Sequence, residues 1–279
     1  MIVRTSEHQA PDFPVSNATS APQSKSAGLT DPLLRLDRIS RHFGKLKAVN
    51  EVSFEMAAGE LRAVIGPNGA GKTTFFNLIS GLHAPTSGRV WFAGRDITNL
   101  PIVKRVALGI VRTFQITEIF PELTVFENVR MGVETAARLN AMPFVPRRTR
   151  AAIDRRVSEL IEVVELGSKR ASLVGELAHG DQRVVEVAIA LSLRPRLLLL
   201  DEPTAGMGDA ETANMVSLMQ RLHNEQGISI LFVEHDMDIV FGIAQRITVL
   251  DQGSVLAEGP PDEISADPRV RAAYLGEVE

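Results

Sequence analysis

The run Gly66-Pro67-Asn68-Gly69-Ala70-Gly71-Lys72-Thr73 fits the pattern G-x-x-x-x-G-K-[ST]. Its residue types suit a phosphate. Glycines let successive backbone N–H groups close around the oxygens, and a following helix adds partial positive charge at its start. Lys72 would reach the β- and γ-phosphates, and the Thr73 hydroxyl would ligate Mg²⁺. Thr74 lies at the opening of Thr74–Ile79, a run free of Gly and Pro that can form that helix. Far down the chain, the apolar run Leu197–Leu200 ends in Asp201-Glu202. An acid at the C-terminal end of a buried parallel strand faces the crevice where α/β folds bind ligands. There Asp201 would hold Mg²⁺ through water, and Glu202 would polarise an attacking water as general base. Two acids after a strand are common on a surface; their weight comes from the phosphate loop that accompanies them.

These residues need strands and helices to carry them. Short β-rich runs occur at Leu33–Ile39, Val49–Met56, Leu61–Ile65, Arg89–Ala93, Leu197–Leu200, Ile228–Val233 and Ile247–Leu250. Met215, Leu218, Met219 and Leu222 make one helical stripe. Ile153, Val157, Leu160, Ile161 and Val164 make another, ended by Gly167. Strand–helix alternation predicts an α/β fold with a mostly parallel sheet. The stretch from about 116 to 180 holds no obvious buried strand and reads as a helical insertion.

Composition narrows the function. The 279 residues are 44% hydrophobic and 23% charged, so a sizeable core is expected. Thirty Lys and Arg against 34 Asp and Glu leave a formal charge of −4, which argues against a nucleic-acid binder. The absence of Cys excludes disulfides, thiol catalysis and Cys-ligated metal sites. No apolar stretch reaches the roughly 18 residues that a membrane-spanning helix needs. Residues 1–32, rich in Pro, Ser, Ala and Thr, read as a disordered extension. They lack the basic start and apolar run of a signal peptide, which fits a cytoplasmic setting.

With both acidic and phosphate-loop motifs in place, the sequence resembles an ATP-binding-cassette ATPase over about 33–279. That family's fold is an α/β P-loop NTPase with an antiparallel β subdomain and an inserted helical subdomain. The resemblance implies ATP and Mg²⁺ as cofactors. It makes Gln115, in Arg112-Thr113-Phe114-Gln115, the glutamine that touches Mg²⁺ and the attacking water. His235, after Ile228–Val233, resembles the switch histidine that contacts the γ-phosphate, and Phe43 falls where an aromatic stacks on adenine. Leu177-Ala178-His179-Gly180-Asp181-Gln182 resembles the signature loop that opens a helix against a partner's γ-phosphate. Ala178 stands where many cassettes carry a serine, Asp181 replaces the usual glutamine, and the aspartate common after the catalytic acid is displaced to Asp209. Gly180 N–H and the helix dipole would then carry the phosphate interaction.

The finer resemblance is to ATPases of bacterial importers for branched-chain amino acids, with urea and short-chain amide importers as the alternative. It rests on Arg112–Gln115, Phe120-Pro121-Glu122-Leu123-Thr124-Val125 and the tail, about 252–279, through Asp267-Pro268-Arg269-Val270-Arg271-Ala272-Ala273-Tyr274-Leu275-Gly276-Glu277. It implies a second ATPase subunit, two integral membrane permeases, a periplasmic solute-binding protein acting indirectly, and a peripheral place on the cytoplasmic face of the inner membrane. Ile116, Ile119, Phe120, Leu123 and Val125 would form the groove for a permease helix, or else pack the insertion. The basic run Arg147, Arg148, Arg150, Arg155 and Arg156 would be a solvated face or a lipid contact. A soluble cassette acting on ribosomes or DNA would need paired cassettes or long heptad arms, which are missing here. A kinase or GTPase would leave Glu202, His235 and the signature loop unexplained.

Overall fold

The computed structural model describes residues 31–113, 119–137 and 146–275. Residues 1–30 of the stretch expected to be disordered, and Phe114, Gln115 and Ile116, lie outside these residues. The described chain opens with a hairpin of β1 (Leu34–Phe43) and β2 (Leu46–Met56), followed by β3 (Leu61–Ile65) and α1 (Lys72–Ser80). Then come β4 (Ser87–Phe92), β5 (Arg95–Asp96), α2 (Ile102–Ala107) and β6 (Ile110–Arg112). A helical stretch follows, with α3 (Val125–Ala136), α4 (Arg147–Val163) and α5 (His179–Ser192). The chain returns to alternation in β7 (Leu197–Asp201), α6 (Asp209–Asn224), β8 (Ser229–Val233), α7 (Met237–Ile243) and β9 (Arg246–Asp251). It closes with β10 (Ser254–Gly259), α8 (Pro261–Ala266) and α9 (Pro268–Leu275).

Two sheets result. A four-stranded antiparallel sheet runs in the order β2-β1-β4-β5, and a six-stranded sheet in the order β10-β9-β3-β8-β7-β6. The latter is parallel from β9 to β6, with β10 antiparallel at its edge. Every residue of β3, β7 and β8 is buried, as expected of parallel strands covered on both faces. Side-chain alternation divides them between two cores. Ala63, Ile65, Leu198, Leu200, Ile230 and Phe232 pack toward the helices from α3 to α8. Val64, Leu197, Leu199, Leu231 and Val233 pack toward α1 and the antiparallel sheet.

The expected strand positions are all occupied, and both helical stripes lie buried, on α4 and α6. Three strands are additional. β5 has two residues and β6 three, too few for any periodicity to register. β10 is only partly buried, so its apolar signal is diluted. Between Thr113 and α5 the described residues hold no strand, only an isolated bridge from Thr124 to Leu173. α3 starts sharply because Thr124 and Glu127 form a capping box, each side chain bonding the other's backbone N–H.

Candidate active site

The phosphate loop joins the end of β3 to α1, and other backbone holds it from behind. Gly71 has φ +100, and a Cβ there would lie 2.3 Å from the Ala48 carbonyl oxygen. Gly66 is as tightly placed, with the Leu250 carbonyl oxygen 2.1 Å from where a Cβ would stand. Only glycine fits at either position. The turn between β9 and β10 adds a strut, with Gly253 N–H donating to Ala70 O at 3.0 Å. The Lys72 ammonium lies buried against the loop and donates to the carbonyls of Gly66 and, at 3.0 Å, Pro67.

This loop opens on a cleft of about 590 Å³ lined by Leu46, Lys47, Ala48, residues 68–74, Glu202, His235 and Gln252. The structure thus gathers the phosphate loop, the candidate base and the candidate switch histidine in one place. His235 Nε2 lies 3.0 Å from Glu202 Oε1. Glu202 has φ +50, unusual for a side chain of its size, and its N–H donates to Val233 O at 2.9 Å. Buried Glu234 braces the pair. It accepts from Thr204 N–H at 2.9 Å and Thr204 Oγ1 at 2.6 Å, and its other oxygen accepts from His235 N–H at 3.2 Å. The turn after Glu202 is thereby tied to the turn carrying His235.

Asp201 sits behind the cleft, buried at the end of β7, with Oδ2 accepting from Arg112 Nη2 at 2.6 Å. Phe43, at the end of β1, is 42% exposed, with Arg41 over its ring at 4.7 Å and His83 edge-on at 5.6 Å. It borders the hairpin turn beyond which Leu46 and Lys47 line the cleft. The sequence offered no signal for Leu46, Lys47, Ala48 or Gln252, since neither turn carries a chemical motif. Arg112, Asn77 and Glu234 were missed as partners because they act through other side chains.

Ala178 to Asp181 lie elsewhere, at the N-terminus of α5, and do not line the cleft of their own chain. Ala178 caps α5 without a side-chain bond. Gly180 N–H donates to Glu211 Oε1 at 3.3 Å, and the other Glu211 oxygen accepts from Gly208 N–H at the start of α6. Asp181 is ion-paired with Lys169. Of the candidate groove residues, Val125 is fully buried and belongs to the core, as Ile119 does in part, while Phe120 is 48% exposed. Arg147, Arg148, Arg150 and Arg155 are exposed on α4, and Arg156 pairs with Glu159 at 3.3 Å. Among the described residues no helix is long and apolar enough to cross a membrane.

A phosphate loop between strand and helix, an acid pair ending the neighbouring strand but one, and a sheet flanked by an antiparallel layer and a helical layer define an ATP-binding cassette. The ABC transporter family model matches residues 49–205, and the chain belongs to that family. It is therefore an ATPase whose hydrolysis is coupled to transport. A second model, described as branched-chain amino acid ATP-binding cassette transporter, matches residues 254–279. The chain is 40% identical over 258 residues to the high-affinity branched-chain amino acid transport ATP-binding protein LivG of Salmonella typhimurium, covering 90% of this chain and all of that one. It is 38% identical over 256 residues to BraF of Pseudomonas aeruginosa, a protein of the same description, with the same coverage. Among solved structures it matches a nucleotide-free ATP-binding cassette from an ABC transporter, with a TM-score of 0.78 and 30% identity over 88% of this chain and all of the other.

Proposed function

We propose that this chain is the ATP-hydrolysing subunit of an importer for branched-chain amino acids. The observation that carries the solute class is the match of residues 254–279 to the branched-chain model, joined to full-length similarity to LivG and BraF. None of the residues lining the nucleotide cleft falls within 254–279, so that likeness is not a by-product of ATP chemistry.

In this reading Gly66, Pro67, Asn68, Gly69, Ala70, Gly71 and Thr74 hold the triphosphate, with Lys72 against its β- and γ-phosphates. The Thr73 hydroxyl and the Asp201 carboxylate are hard oxygen donors that suit Mg²⁺, an ion usually held by one or two protein oxygens together with phosphates. Among the described residues no group of three His, Cys, Asp or Glu side chains gathers into an all-protein cage, in keeping with that mode. When bound, Mg²⁺ would neutralise charge on the β- and γ-oxygens. Glu202 then takes the proton of the attacking water, and His235, 3.0 Å away, orients that carboxylate and reaches for the γ-phosphate. Gln115 completes the water's contacts, and Phe43 offers its ring to the adenine.

Ala178, His179, Gly180 and Asp181 face the phosphate of a second ATPase subunit. Glu211 would release Gly180 N–H as the two chains close, because one donor cannot serve both anions. The pair drives two membrane permeases from the cytoplasmic face of the inner membrane, with a periplasmic solute-binding protein delivering the solute.

The test is uptake of labelled leucine and labelled urea in cells lacking this subunit. Leucine uptake should vanish, and should return with the wild type but not with Glu202→Gln. Loss of urea uptake alone would move the machine to the amide importers, and no change in either would overturn the solute class.

A further inference from the structure

We infer that Arg112 is a positioning residue that sets the affinity for the metal by holding the Asp201 carboxylate. Arg112 ends β6, where its Cα pairs with Leu199, so its side chain leaves the sheet on the same side as Asp201 two residues later. The guanidinium then joins β6 to two further elements. Nη2 donates to Asp201 Oδ2 at 2.6 Å on β7, Nη1 donates to Asn77 Oδ1 at 2.5 Å on α1, and the plane lies 5.6 Å from the Phe76 ring. The two charged side chains are only 6% and 3% exposed.

An exposed ion pair could swing without consequence. This one cannot, because packing and Asn77 fix the guanidinium, and the guanidinium fixes the carboxylate. Asp201 Oδ2 accepts from Arg112, which fixes the direction in which the carboxylate meets the metal's water. α1 is also the helix whose first turn carries Lys72 and Thr73. Arg112 thereby locks the distance between the carboxylate and the hydroxyl that share the ion. Partners of metal-binding carboxylates commonly change metal affinity by about 10–100-fold when removed. A lysine keeps the charge but has no planar fork with which to engage Asn77 and Asp201 together.

The inference rests on Asp201 holding Mg²⁺, so Asp201→Asn is measured alongside. In a Glu202→Gln background, which blocks turnover, binding of a fluorescent ATP analogue is titrated with Mg²⁺ and again in EDTA. Arg112→Lys should raise the half-saturating Mg²⁺ by about 10–100-fold while metal-free binding stays within about 2-fold. Asn77→Ala, which leaves the buried charges paired, should shift it in the same direction by about 3-fold or more, and decides the matter if Arg112→Lys does not fold. Unchanged Mg²⁺ dependence in the folded variants, with Asp201→Asn strongly shifted, would overturn the role of Arg112 alone. Unchanged dependence in Asp201→Asn would instead remove the metal role of Asp201 and this inference with it. Equal loss of metal-free binding would mark Arg112 as a structural support of the loop and overturn the inference.

Discussion

His235 Nε2 stands 3.0 Å from Glu202 Oε1, although 33 positions separate the residues in the chain. Adjacent parallel strands bring them together. β7 and β8 pair Asp201 with Val233, so the residues just past each strand emerge side by side at the C-terminal edge of the sheet. Glu234 then locks the two turns to each other.

The first prediction follows from that pair. Glu202→Gln keeps the size and the cleft but cannot accept the proton, so steady-state hydrolysis should fall by about 10²–10⁴-fold while ATP binding persists. His235→Ala should lower kcat with less effect on KM, because it frees the carboxylate rather than removing it. Turnover of Glu202→Gln within a few-fold of wild type would transfer the base role to another group.

Lys72 gives the second. Its ammonium is fixed on the loop carbonyls, beside Gly69 and Gly71 of the cleft lining. Lys72→Ala should therefore weaken nucleotide binding itself, measured by equilibrium titration, and not only turnover. Equal affinity in the two proteins would exclude the phosphate contact.

Much of this was legible in the sequence because the signals were local. The phosphate loop combines residue types with an obligatory strand before and helix after, and both are present. Leu197–Leu200 of β7 and Ile230–Val233 of β8 are short continuous apolar runs, the pattern that covered parallel strands produce, and β3 departs from it only at Arg62. What escaped was non-local. The Arg112–Asp201–Asn77 contact joins three elements distant in sequence, and no periodicity encodes it. β6 and β5 are held by their neighbours rather than by their own composition. For Val125 the sequence left two readings open, permease groove or packing of the insertion; it opens α3 and its side chain lies in the core, so packing is its role.

Ala178 supports a third prediction. It caps α5 with no side-chain hydrogen bond, and its residue type is among the poorest for that position. Ala178→Ser would supply an acceptor for the first-turn N–H groups. Stability should rise by about 1 kcal/mol, or roughly 2–4 °C in Tm, read by thermal unfolding. ATPase activity should be retained, since the added hydroxyl also suits an approaching phosphate. A loss of stability would mean that the loop cannot accommodate the side chain.

Arg105 provides the last prediction, and it concerns the fold that carries the site. Its side chain is 1% exposed. It donates to Leu78 O and Ile79 O at the end of α1, to Thr98 O and to Leu100 O, at 2.6–3.0 Å. The guanidinium thus satisfies carbonyls that α1 leaves open at its C-terminus and ties them to the loop before α2. Burial pulls its pKa down from the usual guanidinium range to about 10. The folded value lies below the unfolded one, so the cost of burying the charge is constant below about pH 10 and fades only above it. Arg105 should therefore add no slope to stability between pH 6 and 8. Arg105→Met would leave several buried carbonyls without a donor, at about 1–3 kcal/mol each before relaxation, and should lower stability by at least about 3 kcal/mol. Arg105→Lys should recover only part of that loss, because three donors on a single nitrogen cannot reach four carbonyls spread around a planar fork. Denaturant unfolding of the three proteins at pH 6, 7 and 8 checks both points. Equal stability of Arg105→Lys and wild type would show that charge, not the fork, holds the end of α1.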